Sequence, residues 1–424
     1  MGDARARQAR IDCAVMTASP PARWPLAARL VFRFCAIYFV LFIWTTQMLA
    51  SLLPVVGSLL STYTRPDWLI SWTGQHVLHV TVHRIPSGSG DTLFDWLHVF
   101  TLLLAAVIGT LIWSFVDRRR EAYPHAFRWL RLVVRFALGS TLLSYGFAKL
   151  IPLQMPAPPL TRLLEPYGHF SPMGVLWTSI GASFPYERFV GLAELTGGAL
   201  LVLPQTATLG ALLCLADTIE VFTLNMTYDV PVKLFSFHLV LMAVFLLAPD
   251  LKRLASAVFA HRAGWRSTVV QAVFGLCLVA IGWLGAEQGW RAYGSGAAKP
   301  PFYGIWTITR ITVDGADRPL LATDAQTWRR VVIQSAGVLV FWQMDDTPLY
   351  VPAKYDDAAK VFTLGNPGKI RGALKLTSSN PEHLAFDGTF DDRAVHMETE
   401  RLDHAKFQLL SRGFSWVQEY PYNR

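Results

Sequence analysis

Several ionisable side chains stand inside stretches that are otherwise too apolar to hold them. Lys149 closes one such run, with Tyr145 a turn before it. Glu187 and Arg188 open the next, and Glu194 follows seven residues on, on the same helical face as Glu187. Asp217, Glu220 and Asn225 occupy the second half of a third run. Asp229 precedes a fourth, which starts at Lys233 and carries His238 about a turn and a half in. Ionisable groups at membrane depth are costly and mark function by default. If the runs are helices of alternating direction, all these groups fall in one layer near the outer surface. There Lys149, Arg188 and Lys233 meet Glu187, Glu194, Asp217 and Glu220, with His238 titratable beside them. Such near-balance is what a buried polar network needs to avoid an unpaired charge. The expectation is a ligand- or proton-handling site open to the outer side, with Glu220 and His238 as catalytic acid and base. Tyr145, Lys149, Glu187, Arg188, Glu194, Asp217, Asn225, Asp229 and Lys233 would line it. The competing reading is a set of ion pairs that only fix helix packing, with Lys149, Glu187 and Arg188 snorkelling to the interface.

The elements that must position these groups follow from composition. Of 424 residues, 52% are apolar and 16% charged, against about 25% charged in an average soluble domain. Mean hydropathy is +0.33. Disorder is excluded, and a single soluble globule is disfavoured. About 20 apolar residues cross a bilayer, and seven stretches qualify: 27–53, 93–116, 129–151, 187–203, 206–226, 231–249 and 268–287. Short-loop arginines and lysines set the orientation. Arg5, Arg7, Arg10 and Arg23, then Arg118, Arg119, Arg120 and Arg128, then Lys252, Arg253, Arg262 and Arg266 all fall on one side of a seven-span chain. The N-terminus is then cytoplasmic and the region after residue 290 lies outside. In a bacterium this describes a multi-pass inner-membrane protein with a periplasmic C-terminal domain. The formal charge of +8 is a positive-inside signal, and the partner it implies is the lipid bilayer, not nucleic acid.

The first outer loop, 54–92, holds Trp68, Trp72, His76, His79 and His83. A helix there would set the three histidines on one face, either wetted or holding a transition metal; the solvated stripe is preferred and no metal is assigned. The second, 152–186, is rich in proline and should contain a short helix around 173–180 that folds over the outer mouth. Cys13, Cys35, Cys214 and Cys277 form no CxxC pair, and buried free thiols are expected. Phosphate-loop, dinucleotide, zinc-protease and serine-hydrolase motifs are missing.

Residues 128–254 resemble the DoxX-like family of four-span membrane proteins. The resemblance rests on the run Arg135-Phe-Ala-Leu-Gly-Ser-Thr-Leu-Leu-Ser-Tyr-Gly-Phe-Ala-Lys149, on Gly191-Leu-Ala-Glu194-Leu-Thr-Gly-Gly198, and on Asn225-Met-Thr-Tyr-Asp-Val-Pro-Val-Lys233. Gly146-x-x-Lys149 and Glu194 match the family's recurrent positions. The resemblance implies a four-helix membrane core. One branch is similar to the membrane subunit of a thiosulfate:quinone oxidoreductase, which makes a quinone the implied cofactor; other relatives act in assembly. Gly191, Ala193, Gly197, Gly198 and Ala199 also suit close helix approach in lipid.

After residue 290 charge rises and apolar runs shorten. Strands are expected at 304–313, 327–334, 337–344, 347–353, 359–364, 371–377, 383–389, 393–401 and 406–417, with Asp345-Asp346 and Asp391-Asp392 as turn residues. Many short strands in about 120 residues favour a small closed barrel. Gly304-Ile-Trp306 resembles the opening of lipocalin-type barrels, and that resemblance implies a floor tryptophan, Trp306, with Arg412 stacked on it. The barrel then either holds an apolar ligand or is filled and used for docking. The aromatic tail 416–424 should pack, against the outer loops.

The expected protein is therefore a multi-span α-helical membrane protein: seven transmembrane helices with a DoxX-like four-helix core, plus a C-terminal all-β, lipocalin-like small barrel. Its parts are a cytoplasmic tail (1–26), two spans with a long outer loop (27–127), the core (128–254), a cytoplasmic loop and seventh span (255–289), and the periplasmic barrel (290–424). Two functions compete. One is a quinone-linked redox subunit. The other is a non-enzymatic assembly or scaffold module whose barrel binds a membrane-protein partner or an apolar small molecule. A solute carrier is weaker, because no inverted repeat of broken helices is visible.

Overall fold

The structure is a computed structural model that describes residues 23–64, 66–259, 265–292, 296–321, 323–324, 326–335 and 337–423. The chain divides into two compact units, Met1–Ala260 with Arg412–Arg424, and His261–Ser411.

The first unit is a helical bundle built on α1 (Leu26–Thr45), α2 (Leu93–Val116), α3 (Pro124–Leu150), α4 (Phe184–Val202), α5 (Ala207–Thr227) and α6 (Lys233–Leu247). In it, α1, α2, α5 and the helical stretch Lys233–Ala257 are long and apolar enough to cross a membrane. The other two helices carry charges of their own: Arg128, Arg131, Arg135 and Lys149 on α3, Glu187, Arg188 and Glu194 on α4. Phe32, Phe39, Phe42, Leu138, Leu142, Leu201, Met242 and Leu246 form a shared core. The outward faces are just as apolar, with Val107, Ile108, Leu111, Ile112, Phe115, Phe147 and Phe189 all exposed. Apolar side chains covering both faces of a bundle are what a lipid solvent selects.

Between α3 and α4 the contact is backbone on backbone. A Cβ placed on Gly191 would lie 2.7 Å from the Leu150 nitrogen and 2.8 Å from the Gly146 carbonyl oxygen. One placed on Gly198 would lie 2.9 Å from the Gly139 carbonyl oxygen. The glycines are seven residues apart on both helices, so the same face recurs after two turns.

Two expectations in this unit are corrected. The first helix does not run to residue 53. It stops at Thr45, where the next residue, Thr46, turns extended, and the Thr45 and Thr46 hydroxyls bond back to the Leu41 and Phe42 carbonyls at 2.8 and 2.7 Å. The chain continues as short helices, Met48–Leu52 and Pro54–Thr64. The three histidines do not share a helical face either. The helix Asp67–Val77 ends before His79, which has φ +57°, so only His76 is helical. The expected short helix in the proline-rich loop is present as Pro172–Gly181, capped by the Ser171 hydroxyl.

The second unit contains α7 (Trp265–Ala292), long and apolar enough to cross a membrane, and a closed barrel. Cys277, on this helix, is exposed rather than buried as expected, while Cys35 is half-buried and Cys214 buried. The barrel strands are β1 (Gly304–Val313), β2 (Trp328–Ser335), β3 (Val338–Gln343), β4 (Pro348–Asp356), β5 (Val361–Asn366), β6 (Lys369–Ser379), β7 (His383–Phe390) and β8 (Arg393–Leu402). Each pairs antiparallel with the next, and β8 closes on β1 with Arg401 opposite Trp306. Asp391 and Asp392 both take positive φ, 49° and 64°, as a two-residue turn between twisted strands requires. The interior is filled by side chains. Phe341, Val351, Leu364, Leu374, Phe386 and Met397 are 0% exposed, which leaves no water-sized space against them.

The ninth expected strand, 406–417, does not form. A 3₁₀ turn, His404–Lys406, and a short helix, Gln408–Ser411, take its place, and from Arg412 the chain belongs to the bundle unit. The assignment of Arg412 to the barrel floor is corrected with it. The last-strand arginine facing Trp306 is Arg401, while the Trp306 indole N–H donates to the Phe302 carbonyl at 2.9 Å.

Replacing Gly191 by valine should force α3 and α4 apart and cost about 1–3 kcal/mol, read as a lower melting temperature in detergent. Gly275→Ala on α7, where an added Cβ meets nothing within 4 Å, should leave melting unchanged or raise it.

Candidate functional site

The glycine seam decides where the charges meet. Gly146 lies one turn before Lys149 and Gly191 one turn before Glu194, so the close approach brings the two long side chains together. Lys149 Nζ stands 2.5 Å from Glu194 Oε1, and the side chains are 7% and 3% exposed. A pair so deeply buried is not an interfacial snorkelling lysine.

A cavity of about 200 Å³ adjoins the pair, bounded by Tyr145, Lys149, Glu194, Asp217, Glu220 and Asn225, with apolar walls from Leu142, Met173, Trp177 and Leu239. One ammonium therefore faces three carboxylates. Glu194 Oε2 and Asp217 Oδ2 are buried and accept no hydrogen bond among the described residues. Gln47 Nε2 donates to the Tyr145 hydroxyl at 2.7 Å, leaving the phenol proton available to a further acceptor. Asn225 Nδ2 donates to Ser236 Oγ at 3.0 Å and ties α5 to α6. Gly88 and Pro421, from the first long loop and the tail, stand at the edge.

The remaining expected residues serve elsewhere. Glu187 is fully buried but supports the proline-rich loop, accepting the Met155 N–H at 3.1 Å. Arg188 is exposed. His238 does not join Glu220. Its Nδ1 is 2.6 Å from the Leu234 carbonyl and must donate there, so Nε2, 2.6 Å from the Tyr38 hydroxyl, accepts in the neutral ring. The ring stacks on Phe42 at 4.0 Å. It borders a separate, almost wholly apolar groove of about 620 Å³ lined also by Phe34, Phe39, Leu103, Phe222 and Trp416. The helical phase of α6 explains the split, since His238 turns to α1 where Ser236 turns to α5.

Asp229 and Lys233 form a node that receives the tail. Asp229, at φ +52°, accepts from Arg412 Nη2 at 2.9 Å, from the Ser415 N–H at 3.0 Å and from Gln418 Nε2 at 2.7 Å. Lys233 Nζ is 3.1 Å from Asp229 and 3.7 Å from Asp91. Asp91 caps α6, accepting from the Lys233 and Leu234 N–H groups at 2.8 and 2.9 Å, while its own carbonyl receives the Gln418 N–H at 2.9 Å. Burial pushes the Asp91 carboxyl up from its ordinary value, against the pull of those two N–H groups and the Lys233 ammonium. Farther on, the Ser171 hydroxyl donates to the Tyr422 carbonyl at 2.6 Å. The tail thus packs across the loops at this end of the bundle, as its aromatic composition suggested.

Asp91, Gln418, Tyr38 and Gln47 were not expected here. The first two sit in loop-like, polar surroundings that carry no helical periodicity. Tyr38 and Gln47 lie outside residues 128–254, where the site was sought.

No family model matches the chain, and no solved structure matches it. Over 79 residues, 19% of the chain, it is 33% identical to the uncharacterized protein YwoB of Bacillus subtilis. The match covers 51% of that relative, so the chain spans about half its length.

Removing the Asp229 carboxylate by Asp229→Ala should free the tail and cost about 3 kcal/mol, since Arg412 and Lys233 lose their shared acceptor. Carboxypeptidase should then shorten the variant faster than the parent. At Asp91 the sign is set by the upward shift: protonation favours the folded state relative to the unfolded chain. Asp91→Asn keeps one acceptor oxygen but turns an amide NH2 toward the other N–H group, so it should cost about 1 kcal/mol. Asp91→Ala, which leaves two buried N–H groups unpaired, should lower stability by about 2 kcal/mol. Both are read by thermal unfolding in detergent.

Proposed function

We propose that the chain is an integral inner-membrane protein with a DoxX-like core, its N-terminus cytoplasmic and its barrel periplasmic, and that its polar cavity binds the head of a quinone and exchanges protons with it. The observation that carries this reading is the buried Lys149–Glu194 pair sharing one small cavity with Asp217, Glu220 and Tyr145. The residues fit such a group. A quinone ring is apolar on its faces and accepts hydrogen bonds at two carbonyl oxygens. Lys149 and Tyr145 supply donors, Trp177 and Leu142 supply flat apolar walls, and Asp217 and Glu220 are acids at the same cavity. Bound quinone would supply two-electron redox chemistry. Lys149 and Tyr145 would orient it, and the carboxylates would hold or release protons at their unpaired oxygens.

A second reading, a scaffold whose barrel meets a partner through its outer surface, is favoured by the filled barrel interior. The barrel's opening, Gly304 to Trp306 against Arg401, supports a lipocalin-like assignment without an internal ligand.

Solvent extraction of protein purified in mild detergent, followed by mass spectrometry, separates the two. The redox reading expects near-stoichiometric quinone. Tyr145→Phe, which removes one donor and preserves the ring, should weaken retention about tenfold. Glu220→Gln should weaken it too, and His238→Ala, bordering the other groove, should not. Absence of quinone above background would favour the scaffold.

A further inference from the structure

At the opposite end of the bundle from the tail, another cavity, of about 370 Å³, is bordered by Arg128, Arg131, Arg135 and Arg253. The geometry points to a binding site for the phosphate-bearing headgroup of an anionic phospholipid. Arg128, Arg131 and Arg135 stand at i, i+3 and i+7 on α3, so they share one face. Arg253 comes from the helix Leu251–Phe259. Asp250 is the carboxylate among the lining residues, and it is already engaged: Arg131 Nη2 is 3.2 Å from it and 3.0 Å from the Leu246 carbonyl. Arg128 reaches His125 at 2.7 Å, which brings no negative charge when the ring is neutral. Arg135 Nε is buried and has no hydrogen-bond partner among the described residues.

Four guanidinium groups around one carboxylate leave a positive surplus that no other lining residue neutralises among the described residues. Guanidinium forks match phosphate oxygens in geometry as well as charge. The level of the cavity also fits a lipid. Its wall includes Pro204 and Thr208, in and just after the turn between the end of α4 at Val202 and the start of α5 at Ala207, which is where a headgroup layer would begin. Exposed Trp129, Val202, Leu209 and Leu251 flank that level on neighbouring helix faces. They offer apolar surface for acyl chains beside a basic pocket, an arrangement that anionic headgroups occupy between transmembrane helices. Free phosphate shares the headgroup's chemistry but gains nothing from the apolar flank.

The full-length protein, delipidated in detergent, is titrated with phosphatidylglycerol, phosphatidylcholine or inorganic phosphate and followed by native mass spectrometry and by its unfolding temperature. The expected result is retention of phosphatidylglycerol and a rise in unfolding temperature, with no effect of phosphatidylcholine. Arg253→Gln, an exposed change that leaves the core intact, should weaken retention about fivefold, and Arg135→Gln with Arg253→Gln should abolish it. Replacing Arg118, Arg119 and Arg120 together by glutamine, away from the cavity, should change it little. Equal retention by the parent and the Arg135/Arg253 variant would overturn the proposal. So would a greater loss with the Arg118–Arg120 variant, and so would phosphate reproducing the whole stabilisation by itself.

Discussion

The close contact of α3 with α4 is the constraint on which the candidate site depends. A helix pair held apart by ordinary side chains keeps its axes about 8–10 Å apart, and the charged groups would then lie across a thicker wall of aliphatic side chains. With Gly146 against Gly191 and Gly139 against Gly198, the two backbones touch and Lys149 and Glu194 reach each other one turn beyond the crossing. In a lipid solvent there is no hydrophobic gain from joining helices, so close packing and interhelical polar bonds must supply the association. The seam and the ion pair are two parts of one solution. The glycines bring the charges together, and the charges reward the approach that the glycines allow.

The tail completes the bundle by another route. Lys233 and Asp229 stand at the start of α6, where helix N–H groups lack partners. Asp91 satisfies two of them, and Asp229 gathers Arg412, Ser415 and Gln418. A loop carboxylate, a pre-helix carboxylate and a tail guanidinium thus build one network that joins the first long loop to the chain's last residues. The tail's polar residues thus hold it in place together with its aromatic ones, while Lys233 Nζ is ion-paired with Asp229 and makes no hydrogen bond among the described residues.

Much of this architecture was legible in the residues. Hydropathy located the six bundle helices and α7 to within a few positions, apart from the first, whose end was misplaced because a single extended residue, Thr46, leaves no trace in an apolar average. Strand spacing pointed to the barrel and its eight strands, and failed at the ninth because residues 412–417 are bound by the bundle, a tertiary demand that outranks local alternation. In the site, Lys149, Glu194, Asp217, Glu220 and Asn225 were grouped from depth alone, and they border one cavity. Depth does not encode rotation about a helix axis, so His238 and Arg188 were placed on the wrong face, while Glu187 shares the face of Glu194 but lies two turns away, against the proline-rich loop. Asp229 and Lys233 proved to be partners of the tail, a role invisible until segments distant in sequence are brought together.

The two ends of the bundle meet the same electrostatic demand in different ways. At the tail end, carboxylates from the loop and from the start of α6 are matched by Lys233 and Arg412, so that node closes within the protein. In the α3–α4–α5–α6 cavity, carboxylates outnumber the ammonium, and a proton or a ligand must make up the balance. At the other end the surplus is reversed, because Arg128, Arg135 and Arg253 face an Asp250 already held by Arg131. A charge that cannot be balanced internally in a poorly screening environment has to be balanced from outside. The sign of each surplus matches its proposed occupant: hydrogen-bond acceptors and protons at the carboxylate cavity, and an anionic headgroup at the arginine cavity.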